Sequence, residues 1–180
     1  MKITLIRHGE SIANVANFIN DDPGKPVGLT DKGIAQAEAR ALNLREEVFT
    51  HAFASEFPRA RQTAAILLQY HACKLHIDAR LNERKSGMDG MPVHEFNDQV
   101  KRNPLHFKTQ RGESFIEQMA RVRNFLDELA KRYPQGNLLA VSHENPIIAA
   151  LALTVNDAST VVFRNLENCG RLDLHWPLIT

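Results

Sequence analysis

Cysteine is scarce in this chain. There are two, Cys73 and Cys169, with no CxxC spacing. Two such thiols make neither a disulfide framework nor a thiolate metal cluster, and they read as packing residues of a reducing compartment. An excess of charge of one sign is lacking too. Lys and Arg number 22 against 21 Asp and Glu, for a formal net charge of +1. A chain without a global field is not marked for nucleic acid or for an anionic membrane surface. Any affinity for anions must come from a local cluster of cations. No apolar run approaches the roughly 18 residues of a membrane span. The opening Met1–Ile6 meets Arg7 before it reaches the roughly 7–15 apolar residues of a signal-peptide core. The cytoplasm is therefore the expected compartment. No repeat, low-complexity tract or Gly/Ser linker divides the sequence. A length of 180 residues with 43% hydrophobic content supports one domain over 1–180 with a full core.

What is present alternates strand and helix. Lys2–Ile6 is a short apolar, β-branched run expected to be a buried strand. Ile34, Ala37, Ala41, Leu44 and Val48 repeat at helical spacing over 31–49, with Thr30 as the cap and Asp31 at the positive end of the dipole. A strand follows over His51–Ser55, then a helix over 58–71 opened by Pro58, then a short strand at Leu75–Ile77. Residues 86–112 are irregular, with a helix expected over 92–102. Phe115, Met119, Val122, Leu126, Leu129 and Tyr133 mark a clear helix ended by Pro134 and Gly136. Asn137–Ser142 reads as a buried strand and Pro146–Leu153 as a helix. Two late strands, 160–166 and 170–175, are expected to form a closing hairpin. This alternation implies an α/β fold: a three-layer αβα sandwich around a mostly parallel sheet.

Parallel sheets of this kind bind ligands at the carboxyl ends of their strands. Arg7-His8, Ser142-His143 and the segment leading to Arg59 all emerge there. A neutral imidazole is a good nucleophile toward phosphorus, provided its other nitrogen donates its hydrogen elsewhere. His8 stands after a strand and before Gly9, which permits close approach of the chain. Arg7 and Arg59 can cradle equatorial phosphoryl oxygens with planar donors, and a protonated His143 adds a third. A leaving alkoxide needs an acid, and spacing alone does not select one among the 21 carboxylates. His51, His71, His76, His94, His106 and His175 show no metal-ligand spacing.

Arg7-His8-Gly9-Glu10-Ser11 resembles the RHGE signature of the histidine phosphatase superfamily, also called phosphoglycerate mutase-like. The likeness continues in order along nearly the whole chain. It takes in Asn14, the LTDKGIAQA segment from Leu29, the SEFPRARQTA block from Ser55, and Leu81-Asn82-Glu83. It runs on through Gly87, Asp89 and Gly90 to Gly112-Glu113-Ser114 with Arg121, and ends at Val141-Ser142-His143. The resemblance implies the phosphoglycerate mutase-like fold and a metal-independent phosphomonoester hydrolase without organic cofactor. It implies His8 as the nucleophile that becomes phosphohistidine. It assigns Arg7, Arg59 and His143 to binding the phosphoryl group, and Glu83 to proton donation. Asn14 would contribute at the rim, with Ser11 and Gly9 beside it.

Three departures stand out. Glu144 replaces the usual Gly after the second histidine and is expected to turn away or to meet a cation on the substrate. Ala54 and Glu56 replace the more usual residues before Arg59. The stretch between Glu83 and Glu113 is short, lacking the longer insertion with extra arginines that holds a bisphosphate in the glycolytic mutases. A small phosphorylated metabolite is the expected partner, with a phosphohistidine protein as another option. A phosphoglycerate-type mutase and a non-catalytic phosphate- or partner-binding relative are the alternatives. Monomer and dimer both stay open.

Overall fold

The structure is a computed structural model that describes residues 1–177. Five strands form one sheet: β1 (Lys2–Arg7), β2 (His51–Ala54), β3 (Leu75–Ile77), β4 (Asn137–Ser142) and β5 (Arg171–His175). Their spatial order is β3-β2-β4-β1-β5. Every pairing is parallel except that of β5 with β1. The described residues hold six α-helices: α1 (Ile12–Ala16), α2 (Asp31–Leu44), α3 (Pro58–Leu67), α4 (Val93–Val100), α5 (Phe115–Arg132) and α6 (Glu144–Ala152).

The two-residue period of each strand divides its side chains between two cores. Ile3, Leu5, Phe53, Leu138 and Ala140 face the layer built by α5 and α6, where Phe115 and Phe125 are fully buried. Each such ring contributes about 1.5–3 kcal/mol relative to exposure. Ile6, Ala52, Ala54, Leu139 and Val141 face the other side, against Ala41 and Leu44 of α2 and Ala60, Ala64 and Leu67 of α3. The partners on α3 are mostly small, so that helix lies close to the sheet, and α2 packs beside it. Both faces are covered, which explains the nearly continuous apolar runs of the central strands.

Helix starts follow local chemistry. Thr30 accepts a hydrogen bond from the Gly33 amide, as its position suggests. Ser114 and Glu117 form a reciprocal capping box that starts α5.

Several expectations need correction. The helix expected over 31–49 ends at Leu44, and its buried stripe runs through Gly33, Ala37, Ala41 and Leu44; Ile34 and Val48 are exposed. Gly33 lies inward because the chain after His8 crosses that turn. A Cβ on Gly33 would stand 2.0 Å from the Glu10 carbonyl oxygen, and one on Gly9 would stand 2.4 Å from the Gly33 oxygen. The strand expected over 160–166 is absent. Asp157 accepts from the Ser159 amide and winds 158–160 into a 3-10 turn. Val161 and Val162 reach the core from turns instead. β5 pairs with β1 and so has no hairpin partner.

Candidate active site

The register of the sheet assembles the site. Arg7 pairs with Ser142, and Ala54 with Val141, so β1, β2 and β4 end side by side. The next residue on β1 is His8 and on β4 is His143, and their ring centroids lie 5.0 Å apart, edge to face. Arg59, in the first turn of α3, reaches between them.

The hydrogen bonds of Arg59 fix both tautomers, because a guanidinium only donates. Its Nε donates to His8 Nε2 at 3.1 Å, so that nitrogen carries a lone pair. His8 Nδ1 therefore holds the ring hydrogen and donates it to the Gly9 carbonyl at 2.7 Å. Arg59 Nη2 donates to His143 Nδ1 at 3.2 Å. His143 Nε2 then carries hydrogen and donates to Ser55 Oγ at 2.7 Å. Burial, followed by the charge of Arg59, holds both imidazoles well below the usual histidine range. Arg59 itself is buried, and burial brings it down to about 10, which leaves it charged at neutral pH.

A pocket of about 340 Å³ opens above this floor. Arg7, His8, Arg59 and Glu83 line it. Its lining also includes Phe18, Val93, Phe96, Val162 and Phe163. Glu83 accepts from the Arg84 amide at 2.7 Å. Desolvation pushes its carboxyl above the usual range, against the Arg84 amide, the charge of Arg59 and a hydrogen bond from Asn145. Glu144 adds to the upward shift. Two loops roof the pocket. Residues 17–22 pair with 86–93 through Ile19 N to Met91 O (2.8 Å) and Gly90 N to Ile19 O (2.7 Å). Asp21 Oδ2 accepts from the amides of Ser86 and Gly87, each at 2.8 Å, and from Ser86 Oγ at 2.7 Å.

A family model described as the histidine phosphatase superfamily (branch 1) matches residues 3–176. The chain belongs to the histidine phosphatase superfamily. Within it, the adenosylcobalamin/alpha-ribazole phosphatase of Salmonella typhimurium is 33% identical over 94% of this chain and 88% of that protein. The crystal structure of the alpha-ribazole phosphatase from Shigella flexneri superposes with a TM-score of 0.78 at 27% identity, over 96% of this chain and 89% of the other. The phosphoglycerate mutase from Bacillus anthracis shares the fold, with a TM-score of 0.81 at 21% identity, over 96% and 86% of the two chains.

Against the superfamily pattern, His8, Arg7, Arg59 and Glu83 meet at the pocket floor. His143 lies one layer deeper, fully buried behind Arg59 and outside the pocket wall. It is neutral and offers the pocket no donor, since one ring nitrogen accepts from Arg59 and the other serves Ser55. Gly9 also lies off the wall. Its lack of a side chain serves the contact with Gly33 described above. Ser11 and Asn14 line the pocket but are engaged with each other as the capping box of α1, where the Ser11 amide donates to Asn14 Oδ1 at 3.0 Å. Glu144 neither turns away nor awaits a cation from outside: it lies 3.2 Å from Arg7 Nη1.

The sequence offered no signal for Asn20, which is buried and takes the Arg59 guanidinium on both its side-chain and backbone oxygens. Nor did it for Asn145, beside Glu83, or for Asn168, whose Nδ2 donates to the His8 carbonyl at 3.1 Å. Each acts across a long sequence gap, from a loop or a helix start without periodicity. Among the described residues, no group of three or more His, Cys, Asp or Glu side chains is arranged to hold a metal ion. No helix among them is long and apolar enough to cross a membrane.

Proposed function

We propose that this chain hydrolyses small phosphomonoesters through a covalent phosphohistidine at His8. The observation that carries the reading is the forced tautomer of His8. With Nδ1–H held by the Gly9 carbonyl, the lone pair lies on Nε2, where Arg59 Nε donates to it until the guanidinium turns to a phosphoryl group.

In the first step Nε2 attacks phosphorus. The N–P bond forms, the P–O bond to the leaving group breaks, and the Glu83 carboxyl gives its proton to the departing oxygen. Arg59 and Arg7 turn N–H groups to the equatorial oxygens, where they meet the charge of the transition state. As Arg59 leaves His143 Nδ1 for the substrate, that nitrogen becomes free to take a proton from the bound phosphate monoanion or from water and to donate it in a hydrogen bond to a phosphoryl oxygen. In the second step water attacks phosphorus, Glu83 takes its proton, and the N–P bond breaks to return the lone pair to His8.

The pocket also speaks to the substrate. Its lining includes apolar and aromatic side chains. The third arginine in it, Arg84, is committed to backbone carbonyls of Glu113 (3.1 Å) and Phe107 (2.7 Å). A phosphate on a neutral body with an apolar or aromatic face fits better than a second anion. The alpha-ribazole phosphatase names of the relatives agree with that preference. Asn14 and Ser11 would border the phosphate end of such a ligand. Two free cysteines fit work in a reducing compartment such as the cytoplasm.

The test is phosphate release from an aryl phosphate and from an aromatic riboside 5′-phosphate, in excess chelator, for the wild type and His8→Ala. Turnover that disappears in the variant, with an acid-labile phosphoenzyme trapped in the wild type, is expected. Equal turnover in both proteins would remove His8 as the nucleophile. Turnover that instead requires a bisphosphate primer would identify a mutase. Absence of turnover and of phosphoenzyme on both esters would favour a binding relative.

A further inference from the structure

The carboxylate of Glu144 occupies a place where a phosphatase gains nothing obvious from negative charge. It is the first residue of α6, directly after His143. One oxygen lies 3.2 Å from Arg7 Nη1, and the other accepts the Leu166 amide at 2.9 Å. Arg7 Nη1 also donates to the Leu166 carbonyl. Arg7, Glu144 and the Leu166 backbone thus close into one cluster. Both side chains line the pocket, and Arg7 Nε is buried without a partner.

The charge balance of the floor follows. Arg7 and Arg59 are positive, both imidazoles are neutral, and Glu83 is held toward its protonated form. Glu144 therefore cancels one of two positive charges, at the arginine nearest to it. A phosphoryl dianion approaching Arg7 must share the guanidinium with a carboxylate the protein supplies itself. Binding free energy gained by phosphate alone is lowered for substrate and product alike. An ester with an apolar body recovers affinity from the apolar side chains of the pocket, whereas inorganic phosphate does not.

We propose that Glu144 is a specificity-determining residue that weakens the hold of the site on inorganic phosphate through its ion pair with Arg7, leaving recognition to the organic part of the ester. The proposal rests on the phosphatase reading only for its catalytic consequence. Its binding consequence stands on the geometry alone.

Glu144→Gln separates the two. Glutamine keeps the length, can still accept from the Leu166 amide, and removes the charge. Inorganic phosphate and orthovanadate binding is measured by calorimetry on the full chain, with the melting temperature as a check of folding. Product inhibition by phosphate is measured in the same proteins. The expected result is phosphate and vanadate affinity raised about tenfold, the scale of losing one unit charge near a solvent-facing pair. In turnover the variant should show phosphate inhibition stronger by the same factor. Its KM should fall by a similar factor for small and for large apolar esters, since the phosphate end is common to both. Unchanged or weaker phosphate affinity in a folded variant would overturn the proposal, while leaving the phosphatase reading intact if wild type turns over. Tighter phosphate binding without turnover in either protein would sustain the proposal and sink the phosphatase reading. If the glutamine variant melts early, Glu144→Asp provides the second arm. Its shorter carboxylate, drawn back from Arg7, should also tighten phosphate, by less than glutamine does in a folded protein. Weaker binding there would count against the idea.

Discussion

At the scale of single residues, the site is a set of donors and acceptors with little freedom. Arg59 meets two histidines and one asparagine, and every assignment of hydrogen follows from its inability to accept. The two reacting groups are displaced toward each other: burial and Arg59 lower His8, and burial raises Glu83. The attacking ring therefore stays neutral to below the usual histidine range, and the acid keeps its proton to above the usual carboxylate range. The rate of P–N bond formation should fall on the acid side as His8 takes a proton and on the alkaline side as Glu83 loses one. In Glu83→Gln the alkaline limb should vanish. The maximal rate on an alkyl phosphate should drop by about 10²–10⁴, with a smaller loss on an aryl phosphate whose leaving group needs no proton. Pre-steady-state burst kinetics across pH on both esters checks this. An alkaline limb unchanged by the substitution would assign it elsewhere.

At the scale of elements, the close packing of the His8 loop against the start of α2 is the least tolerant joint in the structure. Alanine at Gly33 would drive a methyl group into the Glu10 backbone, which has no flexible side chain to yield. Gly33→Ala should cost about 1–3 kcal/mol, the usual scale for overpacking. It should also lower kcat/KM by shifting His8. Thermal melting and kinetics on one preparation read both effects. Lys32→Ala, at an exposed neighbour paired with Glu10, should change stability by less than about 0.5 kcal/mol. Equal melting temperatures for the two variants would count against the joint.

Much at this scale was legible in the chain. Strands β1 and β4 are apolar runs, and α5 carries a stripe from Phe115 to Leu129, because burial on a sheet or helix face leaves a period. The 160–166 segment misled for the converse reason. Val161 and Val162 are buried, yet a turn rather than a strand delivers them, and burial through a turn leaves no period to read. The floor of the site was legible because strand ends carry it: His8 and His143 sit one residue beyond paired partners. Asn20 was not, since its meeting with Arg59 depends on how a loop of irregular chain folds over the sheet. Glu144 was seen as a departure, but its partner, Arg7, was not foreseen, because nothing in the sequence shows Leu166 fixing the carboxylate beside it.

At the scale of the whole molecule, two neutral buried imidazoles tie folding to pH. In the unfolded chain both take protons near pH 6.5, whereas in the fold both resist to lower values. The unfolded state then binds more protons below about pH 6.5, so stability is full above that pH and falls as pH drops through the window beneath it. Glu83, shifted upward, works in the opposite direction as one group against two. The melting temperature should therefore fall from pH 7 to pH 5, and the fall should be shallower in His8→Gln. A scan in buffers of equal ionic strength reads it, and a parallel decline in both proteins would remove His8 from the account.

The roof over the pocket is built on another principle from its floor. Strand register fixes the floor, and a change there disturbs the whole sheet. The roof is two irregular stretches laced together by a few main-chain bonds, by the carboxylate of Asp21, which gathers three donors from Ser86 and Gly87, and by that of Asp89, which accepts the Asp21 amide and pairs with Lys25. Descent with modification can then proceed unevenly. Loop residues can drift, lengthen or be exchanged while Asp21 and Asp89 keep the lacing, and each exchange presents a new ceiling to the same reacting atoms. A lineage built this way acquires new substrates without having to reinvent its chemistry.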